Sequence, residues 1–287
     1  MQSRLDVIKN LPFWKGRTLF IEKLSGGMTN FNYTVWDGDD KYIARFAPQS
    51  NVFLGLDRMR EVYNTKVAHS LGFGPDVVQV FPEYGLLLVE YIEGKVLSSD
   101  TVIQPVLITS VAKILKKLHN GPKFSGKYHP FEAMREQVAV VRRKRSWLPE
   151  NIDELLKELD RVEITLGKFY DTYPCHLDLM LENIIEDGNQ VKLIDWEYSS
   201  NSDYRLDLAM FSVKGNLTSE QEELLLKEYG DNGKDLHNQI LLMKSVVYFR
   251  EAVWGLLQLA VSDIEFDYKK YAVKNLELFT SLRGTSG

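Results

Sequence analysis

The chain has 287 residues, of which 44% are hydrophobic and 26% are charged, a composition typical of a folded globular protein rather than a disordered one. Its net charge of −5 argues against a nucleic-acid groove, because such a groove needs a positive field to neutralise phosphates. The single cysteine, Cys175, excludes an internal disulfide and favours a reducing compartment. Because the N-terminus lacks the apolar core of a signal peptide and no apolar run is long enough to cross a bilayer, we expect a soluble, cytoplasmic protein.

The first ninety or so residues predict an antiparallel sheet with one helix. Five strands are expected between turns rich in Gly, Pro and Asp: Leu19–Leu24, Phe31–Trp36, Tyr42–Ala47, Val77–Phe81 and Leu86–Tyr91. Between the third and the fourth strand, apolar residues at helical spacing predict a helix over Asp57–Leu71. The strand-rich part ends near Glu93-Gly94, which predicts an N-terminal lobe over 1–93.

Helical patterns dominate the remaining part, 94–287, which we expect to form a second lobe. The predicted helices carry apolar stripes: Pro105–His119, Asn151–Tyr170, Glu220–Tyr229, Leu236–Ala260 and Tyr268–Leu282. Asn151 is expected to cap the second of them, since Asn favours that position. The basic run Arg142–Arg145 is interpreted as a solvated helix end or loop.

Three polar residues stand at the edges of short apolar segments between these helices. Asn183–Glu186 and Val191–Ile194 predict a tight hairpin, which would place Asn183 beside Asp195, and Asp178 lies just before it. A carboxylate and an amide oxygen side by side suit Mg²⁺, and a further carboxylate aimed at a hydroxyl suits phosphoryl transfer from ATP. The alternative is that all three residues only form turns and caps.

The segment His176-Leu177-Asp178 with Asn183, followed by Ile194–Ser199, resembles the catalytic and metal segments of the choline/ethanolamine kinase family. That family belongs to the wider protein-kinase-like and aminoglycoside-phosphotransferase group. The resemblance implies an α+β fold with a small antiparallel-sheet N-lobe, a hinge near 90–94 and a larger, mostly helical C-lobe. It also implies that Asp178 accepts or orients the hydroxyl proton, whereas Asn183 and Asp195 hold Mg²⁺.

The same resemblance assigns a nucleotide site to the first lobe. Arg45 stands where protein kinases place a lysine, with Glu61 as its partner on the following helix, and backbone groups of Glu90 and Ile92 would bind adenine. The phosphate loop would comprise Gly26, Gly27, Met28, Thr29 and Asn30. Without the family, these segments would be interpreted as an ordinary hairpin, an exposed ion pair and a strand end.

The acceptor site implied by the resemblance mixes aromatic and acidic residues: Asp178, Glu197, Tyr198, Glu251, Trp254, Phe266 and Tyr271. Aromatic faces recognise a quaternary ammonium, which cannot donate a hydrogen bond. The sequence departs from the family where it often has two tryptophans, because only Trp254 is present and Glu251 stands at the other position. Glu251 also suits a primary amine. A second departure is Met180, which stands where choline kinases often have a glutamine. The alternative interpretation of the aromatic residues is that they pack in an ordinary hydrophobic core.

Two further residues are predicted to support the site rather than react. His176 is expected to be a scaffold of the catalytic loop, and Asp207 resembles the residue that braces this loop through backbone hydrogen bonds. Cys175 is interpreted as a small buried packing residue.

We therefore expect an ATP- and Mg²⁺-dependent kinase that phosphorylates the hydroxyl of a small amino alcohol, choline being favoured. Alternatives are a kinase of the same fold acting on ethanolamine, thiamine or an aminoglycoside, and a non-catalytic protein that only binds nucleotide. No nucleic-acid or membrane partner is expected, and the sequence leaves open whether the chain forms a homodimer and which pathway uses the product.

Overall fold

The structure, a computed structural model, describes residues 3–24, 31–47, 55–167, 172–188, 190–230, 234–262 and 264–282. The chain divides into two compact units. The first comprises Met1–Lys95 together with Ile185–Glu197, and the second comprises Val96–Ile184 together with Tyr198–Gly287. The lobe boundaries predicted from the sequence stay a prediction.

The first unit contains a five-stranded antiparallel sheet in the order β1-β2-β3-β5-β4. The five predicted strands are confirmed, with ends that shift by no more than two residues: β1 Leu19–Lys23, β2 Phe31–Asp37, β3 Asp40–Phe46, β4 Val77–Phe81 and β5 Leu86–Glu90. In the central pair, Arg45 of β3 lies opposite Leu87 of β5. Gly38 has a φ of 63°, which the tight turn between β2 and β3 requires.

Helices cover this sheet with apolar side chains. The helix α1, Arg4–Lys9, contributes Ile8 to a core that also contains Trp14, Val35 and Leu88. Its six residues are too few to show a clear periodic pattern, and the sequence prediction missed it. The predicted helix after the third strand is confirmed as α2, Arg58–Ser70, which begins after its N-cap Asp57.

A second segment of the chain completes the first unit. The strands β8, Ile184–Glu186, and β9, Val191–Leu193, are neighbours, which confirms the predicted hairpin. The backbone N–H of Leu193 donates to the carbonyl of Phe73 at 2.7 Å, and the buried Trp196 ring packs on the Phe73 ring. Asp195, with a φ of 67°, lies between these two anchoring residues. Contrary to the prediction, Asn183 lies in a short 3₁₀ turn and not in the strand.

The second unit is mostly helical. Its helices are α3 Pro105–His119, α4 Pro130–Arg143, α5 Ile152–Leu166, α6 Arg205–Lys214, α7 Ser219–Tyr229, α8 Lys234–Val261 and α9 Tyr268–Ser281, with short strands β6 Lys95–Val96, β7 Tyr173–Cys175 and β10 Ser200–Ser202. The long helix α8 packs against α4, α6 and α9, and β7 pairs with β10 antiparallel. The basic run 142–145 is the exposed end of α4, as predicted.

Two helices of the second unit and one predicted cap differ from expectation. The sequence analysis did not predict α4 or α6; in α6 the residues from Arg205 to Ser212 are all buried, so no polar face marks it. The prediction that Asn151 caps α5 is wrong, because its side chain makes no capping hydrogen bond. Helix α5 ends at Leu166 with Gly167 as its C-cap, and the last three residues of its predicted range, 168–170, lie outside the described residues. Among the described residues, no helix has the length and apolar character of a membrane span.

Candidate active site

Asp207 holds the loop that carries Asp178. It lies in the first turn of α6 and accepts hydrogen bonds from the backbone N–H groups of His176 and Leu177, both at 2.8 Å. Its carboxylate also contacts the Nε2 atom of His119 at 3.1 Å. The prediction that Asp207 braces this loop is therefore confirmed. The φ of Leu177 is 65°, a conformation that L-residues rarely adopt and that these two backbone bonds help to maintain.

The buried surroundings of Asp207 act on its charge in two directions. Burial would raise the pKa of the carboxyl, but the hydrogen bond and charge of His119, together with the backbone donors, hold the pKa below its ordinary value. Cys175 is fully buried beside it, as predicted, and burial raises the pKa of its thiol well above the usual range. His119, Cys175 and Asp207 lie close enough together to suggest a metal site. However, the Cys175 thiol donates to the carbonyl of Tyr173 at 3.1 Å, and Asp207 accepts from the loop backbone. This cluster supports the loop.

Asp178 and Asn183 are joined directly in the second unit. The amide Nδ2 of Asn183 donates to the Asp178 carbonyl at 2.8 Å and to its Oδ2 at 3.2 Å. The backbone N–H of Met180 closes the turn by donating to the same carbonyl at 2.8 Å. These bonds orient the partly exposed Asp178 carboxylate. With its nitrogen on Asp178, Asn183 would use its side-chain oxygen to bind a hard cation.

The first unit assembles an ion-pair cluster around Arg45. Arg45 is buried on β3, and its Nη2 lies 3.4 Å from the Oε1 of Glu61 in the first turn of α2. The same Nη2 forms a closer ion pair with Asp195, and Arg58 pairs with Glu61 from the side. The predicted partnership of Arg45 and Glu61 is confirmed, and the alternative of an exposed ion pair is wrong.

The charges of this cluster balance inside a buried environment. Burial disfavours the charge of Arg45, but Asp195 and Glu61 outweigh it and place the pKa of the guanidinium above its ordinary value. For Glu61 burial is the largest effect, and it raises the pKa of the carboxyl against the pull of Arg45 and Arg58. The Nε of Arg45 is buried and has no hydrogen-bond partner among the described residues. A buried donor of this kind suits an anionic ligand such as a phosphate.

The remaining nucleotide-site residues are placed only in part. Glu90 ends β5, and its backbone N–H donates to the Asp76 carbonyl at 2.9 Å, so that a base would have to bind the Glu90 carbonyl. Ile92 follows it in the first unit and is partly buried. The predicted phosphate loop lies outside the described residues: Gly26, Gly27, Met28, Thr29 and Asn30.

Five rings gather in the second unit on or near α8 and α9. The Trp254 ring lies 5.8 Å from Tyr271 and 5.9 Å from Tyr268, measured between ring centroids. Phe266, whose side chain is 45% exposed, lies 5.0 Å from Tyr268 and 6.0 Å from Tyr271. The Nε1 of Trp254 donates to the Tyr198 hydroxyl at 3.2 Å. The structure thus brings together the aromatic residues that the sequence predicted for the acceptor site.

Glu251 belongs to this cluster, but its carboxylate is engaged internally. Its Oε2 accepts hydrogen bonds from Lys214 Nζ at 2.6 Å and from the Tyr271 hydroxyl at 2.5 Å, and Arg250 Nη1 lies 3.6 Å from Oε1. Burial opposes the charge, but Lys214 and Arg250 hold the pKa of Glu251 below its ordinary value. A primary ammonium group that approached Glu251 would therefore find a carboxylate that already accepts two hydrogen bonds.

The sequence analysis missed Lys214 and Arg250, and it grouped Glu197 with residues of another unit. Glu197 is buried in the first unit, where it adds to the negative field around Arg45. A signal for Arg250 was present, since a charged residue interrupts the apolar sequence of α8 immediately before Glu251. Asn183 and Asp195 fall in different units, and their joint binding of Mg²⁺ stays a prediction.

An antiparallel sheet with a buried Arg–Glu pair, and a braced H-x-D loop in a helical unit, define a protein-kinase-like phosphotransferase. The α+β class predicted from the sequence is confirmed by solved structures with this fold. The family model for choline/ethanolamine kinase matches residues 21–224, and the chain belongs to this family. Members of the family are nucleotide-dependent phosphotransferases that act on alcohol groups.

Individual relatives extend over nearly the whole chain. The choline kinase LicA from Streptococcus pneumoniae is 27% identical, with a TM-score of 0.83, covering 96% of this chain and 99% of that one. A choline/ethanolamine kinase family protein from Mesorhizobium loti is 25% identical, with a TM-score of 0.83, covering 97% and 92% of the two chains. Ethanolamine kinase 1 from Mus musculus is 25% identical over 97% of this chain and 88% of its own length. These matches confirm the family resemblance noted in the sequence.

Proposed function

We propose that this protein transfers the γ-phosphoryl group of ATP to the hydroxyl of choline and releases phosphocholine and ADP. The observation that carries the choice of acceptor is the ring cluster of Tyr198, Trp254 and Tyr271, with Phe266 exposed beside it. Ring faces attract a quaternary ammonium group through cation–π interaction, and this attraction needs no hydrogen-bond acceptor.

The state of Glu251 supports choline over ethanolamine. A primary ammonium donates hydrogen bonds and gains most from a carboxylate that still has lone pairs to offer. Glu251 instead receives donors from Lys214 and Tyr271, and its negative charge is balanced by Lys214 and Arg250. A methylated ammonium loses less in such a surrounding, because it never made those hydrogen bonds. Because one similar protein is a choline kinase and another is an ethanolamine kinase, the test must separate the two acceptors.

Asp178 is proposed to orient the acceptor hydroxyl and to take its proton as the bond to phosphorus forms. Its bonds from Asn183 hold the carboxylate in place before substrate arrives. Arg45, fixed by Glu61, is proposed to bind phosphate oxygens through its buried donors. Residues 26–30 would cover the phosphates. Catalysis of this kind depends on positioning and charge stabilisation rather than on a covalent intermediate.

Oxygen ligands for Mg²⁺ are proposed to come from Asn183 and Asp195. The residue types fit, since Mg²⁺ prefers carboxylate and amide oxygens together with water and phosphate oxygens. The bound ion would neutralise charge on the nucleotide phosphates. In the first unit Asp195 forms an ion pair with Arg45, which helps to hold the carboxylate in place for this role.

The first experiment is an ADP-release assay with ATP and Mg²⁺ against choline, ethanolamine, thiamine and kanamycin. We expect turnover with choline, with a higher kcat/KM than for the other three acceptors. Asp178→Asn should abolish it, whereas Asp153→Asn, at an exposed site on α5, should leave it unchanged. Preference for another acceptor would reject the choline assignment and keep the enzyme class. Mg²⁺-dependent ATP binding without turnover on any acceptor would reject both.

A further inference from the structure

Arg250 is a buried cation in the acceptor region, and the choline reaction as described above gives it no contact with the reacting groups. It lies in the middle of α8, its exposed fraction is 7%, and its neighbours along the helix are largely apolar. Burying a guanidinium costs free energy unless charges and hydrogen bonds compensate for it. What surrounds Arg250 therefore indicates what the residue is for.

Two tyrosine rings and one carboxylate hold the Arg250 guanidinium. Its central carbon lies 5.5 Å from the centroid of the Tyr198 ring and 6.0 Å from that of Tyr128. Its Nη1 lies 3.6 Å from the Oε1 of Glu251, which is too long for a hydrogen bond. This Nη1 is buried and has no hydrogen-bond partner among the residues that the structure describes. A charged group is thus held in place while the hydrogen-bonding capacity of this Nη1 is unused.

The negative charge of Asp178 contributes to the electrostatic field at this cation. Burial disfavours the charge of Arg250, but Tyr128, Glu251 and then Asp178 outweigh it and raise the pKa of the guanidinium above its ordinary value. The pKa of the Tyr271 hydroxyl is raised above its ordinary value, first by burial and then by the negative charges of Glu251 and Asp178. The Arg250 guanidinium therefore stays positively charged in the neighbourhood of Asp178, at the end of the ring cluster built around Tyr198 and Trp254.

A positive charge there is unfavourable for a cationic acceptor, so its presence needs another explanation. The charge of Glu251 explains it only in part, because Lys214 already donates to that carboxylate at 2.6 Å and the Nη1 of Arg250 makes no hydrogen bond to it. During the reaction an anion arrives beside Asp178, namely the phosphoryl group as it moves onto the acceptor oxygen. A guanidinium with an unused donor is the side chain best suited to phosphate oxygens.

We propose that Arg250 binds an oxygen of the phosphoryl group on the acceptor side, during transfer and in the bound product. This inference rests on the proposed kinase reaction and adds a residue to it. The acceptor oxygen forms a bond to the γ-phosphorus, the bond from that phosphorus to the bridging oxygen breaks, and the electron pair leaves with ADP. The hydroxyl proton passes to Asp178. As that carboxylate loses its negative charge, Arg250 gains a new anionic partner in the transferred phosphoryl group.

The test compares how tightly the enzyme binds choline and phosphocholine, by isothermal titration calorimetry, alongside steady-state kinetics. In Arg250→Gln we expect kcat to fall about 100-fold, the loss typical of removing one donor to transition-state charge, with KM for choline within about threefold of wild type. Phosphocholine should bind about tenfold more weakly while choline affinity is kept. Arg250→Lys should recover part of both losses, because it restores the charge.

Lys214→Met is the matched control, since it removes the other cation that contacts Glu251. If Arg250 only supported Glu251, both variants would change the ratio of phosphocholine to choline affinity equally. Equal changes, or an unchanged ratio in both Arg250 variants, would overturn the inference. Should Arg250→Gln fail to fold, Arg250→Lys decides by the same ratio. If the wild type prefers another acceptor, that acceptor and its phosphoester replace choline and phosphocholine in the binding comparison. Absence of turnover with every acceptor rejects this inference together with the proposed function.

Discussion

Single residues of the first unit show how burial turns an ordinary ion pair into a structural requirement. Arg45 lies between Glu61 and Asp195, and all three side chains are largely withdrawn from water. Exposed ion pairs stabilise less, because solvent screens the charges and both side chains lose conformational entropy when they pair. Arg17 with Asp37 is closer to such a pair, because the Arg17 side chain, just before β1, is 47% exposed, whereas Asp37 ends β2.

Arg45→Ala should lower the free energy of unfolding by about 3 to 5 kcal/mol, because it removes the buried cation between Glu61 and Asp195 and leaves only Arg58 beside Glu61. Urea unfolding followed by circular dichroism measures this change. Arg17→Ala is the control, and its unfolding midpoint should stay within the error of the measurement. Similar shifts in the two variants would show that burial of the Arg45 cluster has no energetic weight.

Asp207 predicts a dependence of stability on pH. Its pKa is lower in the folded chain than its ordinary value of about 4, so its contribution to stability is complete above that value. The contribution is lost as the pH falls through the lower, folded-state pKa. Asp207→Asn should therefore be less stable than wild type at pH 7, and the difference should shrink below about pH 4. Urea titrations at several pH values check this, and a difference that does not change with pH would contradict it.

Trp254 is expected to carry much of the recognition of the quaternary ammonium. Trp254→Leu should raise KM for choline about tenfold, corresponding to a loss of roughly 1 to 2 kcal/mol of cation–π energy, with kcat nearly unchanged. Trp36→Leu, on the sheet of the first unit, is the control for loss of a tryptophan. A fall in kcat at constant KM would mean that Trp254 supports the fold of the site rather than the ammonium group.

At the scale of elements, helix starts reveal where sequence rules hold. Helix α7 begins after Thr218, whose side chain accepts from the N–H of Gln221, while Gln221 accepts from the N–H of Thr218 at 2.9 Å. Thr and Gln at this spacing form a capping box, which satisfies two backbone donors at once. Asn151 precedes α5 but makes no such bond, although the residue type is equally suited to it.

Thr218→Ala should therefore cost about 1 kcal/mol of stability, whereas Asn151→Ala should change it by no more than a few tenths. Thermal or urea unfolding of the two variants measures the contrast. Equal losses at both positions would show that the helix termini owe their stability to something other than the capping bond.

Much of the fold could be predicted because local patterns reported it correctly. The strands of the first unit alternate and are separated by turn residues, and α3 has a continuous apolar stripe. Helix α6 could not be recognised in this way, because nearly all of its residues are buried and no polar side marks it. The spacing of Asp178 and Asn183 was informative because one tight turn joins them. Lys214 contacts Glu251 through packing of α6 against α8, which no local pattern records.

For the whole molecule, ligand binding should appear as added stability. A ligand that binds only the folded chain adds about 2.7 kcal/mol when present at roughly 100 times its Kd. ATP with Mg²⁺ should thus raise the melting temperature, and EDTA should remove most of the increase because the phosphate charges lose their counter-ion. Asp195→Asn should abolish the part that depends on Mg²⁺ and keep a smaller effect of ATP alone. Scanning fluorimetry measures this, and an increase that EDTA does not change would argue against a metal-assisted site.

The discontinuous make-up of the first unit has a consequence for how the protein is made. Its sheet is complete once residue 95 has been synthesised, but Ile185–Glu197 must still be added before the unit is whole. At about 5 to 20 residues per second, a ribosome takes on the order of ten seconds to produce the intervening segment. During that interval Phe73 lacks both the Leu193 backbone and the Trp196 ring that later cover it. The nascent chain therefore exposes apolar surface around Phe73 during this period, and a chaperone could bind it there.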